Sequence, residues 1–215
     1  MPIIWQGRGE KIARSTKGIE READNALPVG SEDELIEACI RGDELAWRKL
    51  IESFHKCVYS TAYHMLYNHE DALDVVQDVF IKVFEGLRKF RRGSSLSTWI
   101  YRICINVCLD RLRRRREMLM SSLNDEEREG LIELPDPSPS PEEVVEKNEL
   151  KELVRNAINS LPAHMRAVVV LCDLEGLSYD EVAKILGVPV GTVKSRLNRA
   201  RLSLRNMLQS KGLVW

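Results

Sequence analysis

A chain of 215 residues, 44% hydrophobic and 30% charged, has room for one large domain or two small ones and the composition of a soluble protein. Its net charge of -1 excludes an evenly basic nucleic-acid binder, but the charges are segregated: residues 88–116 carry ten basic groups against Asp110, residues 120–149 reverse the balance, and residues 191–212 carry six basic groups and no acid. Five irregularly spaced cysteines suit free thiols in a reducing compartment better than a disulfide framework, and the longest aliphatic run, 167–172, is too short to span a bilayer, so no membrane insertion and a cytoplasmic location are expected.

Helical spacing recurs along the chain and strand-like alternation does not, which predicts an all-α protein. Residues 1–30 mix charges with glycine and read as a flexible N-terminal extension. Ser31 and Glu34 form a capping box that opens the ordered part. A short helix ends at Gly42, and a longer one starts near Asp43 with Ala46, Trp47, Leu50, Phe54, Val58, Ala62 and Met65 on one face. The next runs from about Glu70 to Leu87, and another from Ser97 or Thr98 towards Arg116. Domain one is thus 31–118. Residues 119–141 form an acidic, proline-rich linker, and Ser140, Pro141 and Glu143 cap a second helical domain, 142–211.

Within that second domain, "GLSYDEVAKILGVPVGTVKSRLNRARLSL" reads as a helix-turn-helix. Ser178 and Glu181 make a capping box, Gly187 suits the left-handed position after a helix, and Pro189 opens the next one. Val193, Leu197, Ala200, Leu204 and Leu208 share a buried stripe, which turns Lys194, Ser195, Asn198 and Arg199 outwards with Thr192 and Arg196 on the flanks. Donors and small polar groups near a helix N-terminus suit the major groove, where base edges are distinguishable. A basic amphipathic helix can also be plain solvated surface.

The helix of 70–87 is divided as well. Ala72, Val76, Val79, Val83 and Leu87 define an apolar side, with Asp71, Asp74, Asp78, Lys82 and Glu85 opposite. Such carboxylates can be solvated surface, a divalent-metal site of a hydrolase, or a docking face. No histidine or further carboxylate motif converges on them in sequence, so docking is the better fit. Downstream, Phe90, Trp99 and Tyr101 are interleaved with Arg91, Arg92, Arg102 and the 111–116 arginine cluster around a Gly-Ser loop, a combination suited to single-stranded nucleic acid. Core packing is the competing reading for the aromatics, and phosphate contact the reading for the arginines. Cys104 and Cys108, one helical turn apart, read as core packing.

Together, "DALDVVQDVFIKVF", "FRRGSSLSTWIYRICINVCLDRLRRRRE" and "LPAHMRAVVVLCDLEGLSYDEVAKILGVPVGTVKSRLNRARLSLR", in that order around the acidic linker, resemble an RNA polymerase sigma factor of the extracytoplasmic-function group of the sigma-70 family. The resemblance spans about residues 31–210. It implies a bacterial alternative sigma factor that binds core RNA polymerase through its β′ and β subunits, with no enzymatic activity or cofactor of its own, held in check by an anti-sigma factor. The first domain would be sigma region 2 and the second sigma region 4. By position, Asp71, Asp74, Gln77 and Asp78 would dock on the polymerase β′ coiled coil. Ser94, Ser95, Trp99, Arg102, Asn106 and Asp110 would take −10 bases, and Arg113, Arg114, Arg115 and Arg116 the backbone. Thr192, Lys194, Ser195, Arg196 and Arg199 would read the −35 element of promoter DNA. Ile105 and Val107 depart from the basic or small residues common beside the equivalent of Asn106. A free-standing helix-turn-helix regulator is the alternative.

Overall fold

The computed structural model describes residues 29–91, 93–122 and 142–211, so the 119–141 linker beyond Ser122, the Ser140 and Pro141 cap and the extension before Val29 lie outside it. Among the described residues eight α-helices follow one another: α1 (Val29–Ile40), α2 (Glu44–Leu66), α3 (His69–Gly86), α4 (Leu96–Ser122), α5 (Glu142–Asn159), α6 (Ala163–Val169), α7 (Tyr179–Leu186) and α8 (Val190–Ser210). Among the described residues there is no strand.

Local chemistry sets most of the helix ends. The Asp43 carboxylate accepts from the amides of Leu45 and Ala46 at 2.9 and 3.2 Å and starts α2, and Asn68 accepts from the Asp71 amide at 2.8 Å to start α3. Ser178 and Glu181 close their capping box at α7, and Gly187 ends it at φ +65°. Two ends differ from the sequence reading. α1 is already helical at Val29, so Ser31 and Glu34 lie inside it rather than opening it. α4 starts at Leu96, where the first amide donates 2.9 Å to the Glu32 carboxylate of α1, and it runs six residues past Arg116 to Ser122. A partner 64 positions away caps this helix, a contact that local spacing does not contain.

In the N-terminal half, α2, α3 and α4 pack on one another through the predicted stripes: Leu50, Val58, Ala62 and Met65 are fully buried against Ala72, Val79 and Val83. Ile100, Cys104 and Cys108 complete the core from α4. In the C-terminal half α8 packs on α5, α6 and α7 through Val193, Leu197 and Ala200. Ile105 and Val107, the departures beside Asn106, are buried at 1% and 8% exposure and so serve packing.

The two halves are docked, and most of their buried apolar residues form one contiguous cluster. α7 lies against α4, while α6 and the π-helical turn that continues it (Val170–Leu174) lie against α2. Buried Arg166 donates from Nη1 to the carbonyl of Met65 near the C-terminal end of α2, at 2.7 Å. Its Nη2 donates to the carbonyls of Asn159 and Leu161. Cation and helix C-terminus match electrostatically. Burial pushes the Arg166 pKa down, with the Tyr67 hydroxyl opposing. Glu175, just beyond the π turn, accepts from the Ser60 hydroxyl at 2.7 Å and from the Tyr101 hydroxyl at 3.4 Å.

Candidate nucleic-acid interface

The second helix of the helix-turn-helix presents the face predicted for it. α8 buries Val193, Leu197 and Ala200 and half-buries Leu204 and Leu208, which leaves Lys194, Ser195, Asn198 and Arg199 exposed with Thr192 and Arg196 half-buried beside them. The Ser195 hydroxyl donates to the Thr192 carbonyl at 3.0 Å, and the Lys194 ammonium sits 5.9 Å over the Tyr179 ring. A bidentate pair from Arg201 to Asp173 ties α8 to the π turn. The Asp173 hydrogen bond raises the Arg201 pKa, burial opposing, so this cation is committed to the fold.

Around the start of α4 the predicted residues divide. Ser95 is exposed but acts locally as a cap: its Oγ accepts from the Thr98 amide at 3.3 Å and lies within hydrogen-bonding distance of the Ser97 and Thr98 hydroxyls. Ser94 beside it is half-buried. Trp99 is half-buried, 5.0 Å from the Phe90 ring, and a Cβ at Gly86 would come within 3.0 Å of it. Tyr101 is buried, and burial pushes its hydroxyl pKa up. Asn106 and Asp110 are exposed one turn apart, followed by exposed Arg113, Arg114, Arg115 and Arg116. Arg113 pairs with Asp110 at 3.1 Å and Glu117 at 3.9 Å. Arg102 points into the opposite half, where its guanidinium donates to the Lys184 carbonyl of α7 at 2.5 Å.

The acidic face of α3 is not simply solvated. Arg111 from α4 reaches Asp71 at 3.1 Å, Asp74 at 3.2 Å and Asp78 at 3.4 Å. Burial alone would lower the Arg111 pKa, but the Asp74 hydrogen bond and the three carboxylate charges hold it above the ordinary range. Arg111 therefore ties α4 to α3, a role its place in the 111–116 run did not suggest. The signal was periodicity: seven residues after Cys104 and three after Cys108, it flanks the buried stripe of α4. A second feature was missed. Beside Gln77 on the outer side of α3 stand Leu73, Ile81 and Phe84, 44%, 48% and 64% exposed, so that face is half acidic and half apolar. Spacing had sorted α3 into one apolar and one polar side; the apolar residues outside the main stripe were in plain view.

All five cysteines are free, and burial raises the Cys57 thiol to about 11. Among the described residues no group of histidine, cysteine and carboxylates is arranged to hold a metal, and no helix is long and apolar enough to cross a membrane.

Comparison with known proteins bears on both halves. Residues 50–118 match sigma-70 region 2, and residues 151–204 match sigma-70, region 4. The chain belongs to the extracytoplasmic-function group of the sigma-70 family. It is 36% identical over 179 residues to the ECF RNA polymerase sigma-E factor of Escherichia coli, covering 81% of this chain and 93% of that one. It is 33% identical to the ECF RNA polymerase sigma factor SigW of Bacillus subtilis, over 79% of this chain and 92% of that one. With SigE of Mycolicibacterium smegmatis the identity is 39%, over 78% of this chain and 64% of the relative's length. Among solved structures, the sigma factor RpoE of Bartonella quintana, in complex with the anti-sigma factor NepR, superposes with a TM-score of 0.57. It is 26% identical and covers 75% of this chain and 96% of that one. CnrH, in complex with the cytosolic domain of CnrY, shares the fold at a TM-score of 0.61 and 24% identity, over 84% and 98% of the two chains. The sigma factor described here is thus a transcription initiation factor, and its helix-turn-helix lies in region 4.

Proposed function

We propose that promoter recognition is divided between the two halves at the residues named above. Exposed Lys194, Ser195 and Arg199, with Thr192 and Arg196, enter the major groove at the −35 element, and the duplex contact sets register. Ser94, Ser95, Trp99, Arg102, Asn106 and Asp110 take unstacked −10 bases, and Arg113, Arg114, Arg115 and Arg116 hold the phosphates, offsetting an unstacking cost of about a few kcal/mol per step. The α3 face of Asp71, Asp74, Gln77 and Asp78, extended by Leu73, Ile81 and Phe84, docks on core polymerase. Residues 31–118 and 142–211 are the working units, and the 119–141 linker raises the effective concentration of each half at its element. The protein works in the cytoplasm, and an anti-sigma factor governs it, as NepR is bound to the Bartonella relative. Catalysis belongs to the polymerase.

The observation that carries this reading is the pairing, on one chain, of an open recognition face on α8 with an arginine-rich end on α4, in region-4 and region-2 segments. The test is promoter-directed transcription on a library of genomic fragments by purified core polymerase, with and without the protein. Transcripts that appear only with the protein, sharing two spaced elements, are expected. Footprinting of duplex DNA by the protein alone, without transcripts, would hand the assignment to a free-standing regulator.

A further inference from the structure

The face that α8 turns to solvent is wider than the set of groups on it that are free to read a base. At about 100° per residue, Ser195 lies nearly opposite the buried stripe, and Gly191, Asn198, Arg199 and Leu202 fall within about 60° of it. Lys194 and Arg196 stand about 100° round on either flank. Along the central line, Gly191 has open space where a Cβ would stand and Ser195 is small, so the first turns can approach a surface closely. The Ser195 proton is already given to the Thr192 carbonyl at 3.0 Å, and Leu202, where the line ends, carries no donor or acceptor. The Lys194 ammonium is drawn aside over the Tyr179 ring, 5.9 Å from its centroid. Among the described residues, the Asn198 amide and the Arg199 guanidinium have no hydrogen-bond or ion-pair partner.

We propose that base discrimination at the −35 element rests on Asn198 and Arg199: Asn198 selects an adenine and Arg199 a guanine near it, while Lys194 and Arg196 meet the phosphates on either side. An asparagine amide sets a carbonyl and an NH2 side by side, which matches the N6–H donor and N7 acceptor of adenine in the major groove. Guanine offers two acceptors there, so the amide carbonyl would face O6 without a proton between them. The guanidinium has the opposite match, two donors for N7 and O6 of guanine. This inference rests on the entry of α8 into the major groove proposed above, and adds to it the base that each reader takes.

The test uses the full-length protein with core polymerase on a promoter library randomised across the −35 region, with transcripts sequenced to give the base preference at each position. The wild type should require adenine at one position and guanine close by. Asn198→Ala should lower the adenine preference at that one position by about tenfold and leave the guanine preference standing. Asn198→Arg should convert the same position from adenine to guanine, a change that a merely structural or phosphate-binding role would not produce. Asn198 is exposed, so neither variant disturbs the packed stripe. An adenine preference unchanged in Asn198→Ala, or a loss spread evenly over all positions, overturns the assignment while the −35 reading stands. A wild type with no base preference anywhere in the region removes the −35 reading itself, and this assignment with it.

Discussion

Helices α4 and α8 carry the same kind of chemistry, arginines and small polar groups on an amphipathic frame, yet the fold buries far more of one than of the other. α8 buries a narrow stripe and leaves Lys194, Ser195, Asn198 and Arg199 to solvent. α4 is packed against α2 and α3 on one side and α7 on another, so Ile100, Tyr101, Cys104, Ile105, Val107 and Cys108 are all buried within three turns, while Asn106 and Asp110 stay exposed. The difference teaches that residue type and spacing assign side chains to a helix face, whereas how much of the helix its neighbours cover is a tertiary property.

The strongest way to break the contrast is through Arg166. Arg166→Ala leaves buried carbonyls at Met65 and Leu161 without their donor and should cost about 3 kcal/mol, read as a lower denaturant midpoint. α4 should then become more accessible, while α8, already open, changes little. On the other side of the comparison, Arg199→Ala should weaken −35-dependent transcription by about 1–3 kcal/mol if its guanidinium makes a bidentate base contact, and leave the thermal midpoint unchanged. Unaltered promoter discrimination would remove Arg199 from the reading set.

Smaller effects sharpen the contrast. Ser178→Ala removes half of the capping box of α7, the helix that both covers α4 and supports α8, and should cost about 1 kcal/mol in thermal or chemical unfolding. Arg111→Ala should cost less, about 0.5 kcal/mol at low salt, because its partners are largely exposed, and the loss should shrink as salt screens the carboxylates left behind.

The docking should also depend on pH. Burial raises the Glu175 pKa above the ordinary carboxylate value, opposed by Ser60, His64, Tyr101 and Thr61; Cys57 and Cys104 also face it. The docked chain therefore binds this proton more tightly than the undocked one. Its contribution is fully present below the ordinary value and is lost as pH rises through the docked value. Scattering radii across a pH series should show tighter docking in acid, and Glu175→Gln should flatten the trend.

Much of this was legible in the sequence. The helical stripes, the helix start near Asp43, the cap at Ser178, the Gly187 turn and the outward face of α8 follow from spacing because each is decided within a few residues of itself. What spacing did not contain are long-range choices. Arg111 belongs to α3 by contact and to an arginine run by sequence, Glu32 caps a helix in another part of the chain, and Glu175 meets α2 through Ser60, 115 positions away. A helix period assigns a side chain to a face; it does not say which neighbour occupies that face.

The Glu32 contact has a practical side for anyone building chimaeras. The Gly-Ser loop and the first turn of α4 look like a portable cassette, since Ser94, Ser95 and Trp99, three of the residues proposed to meet −10 bases, lie together there. Yet the first amide of that helix is satisfied by a carboxylate from α1. Grafting the cassette between relatives without the matching acid would leave the donor unfilled and let the loop settle differently, so the smallest transferable unit is the cassette together with the helix that braces it.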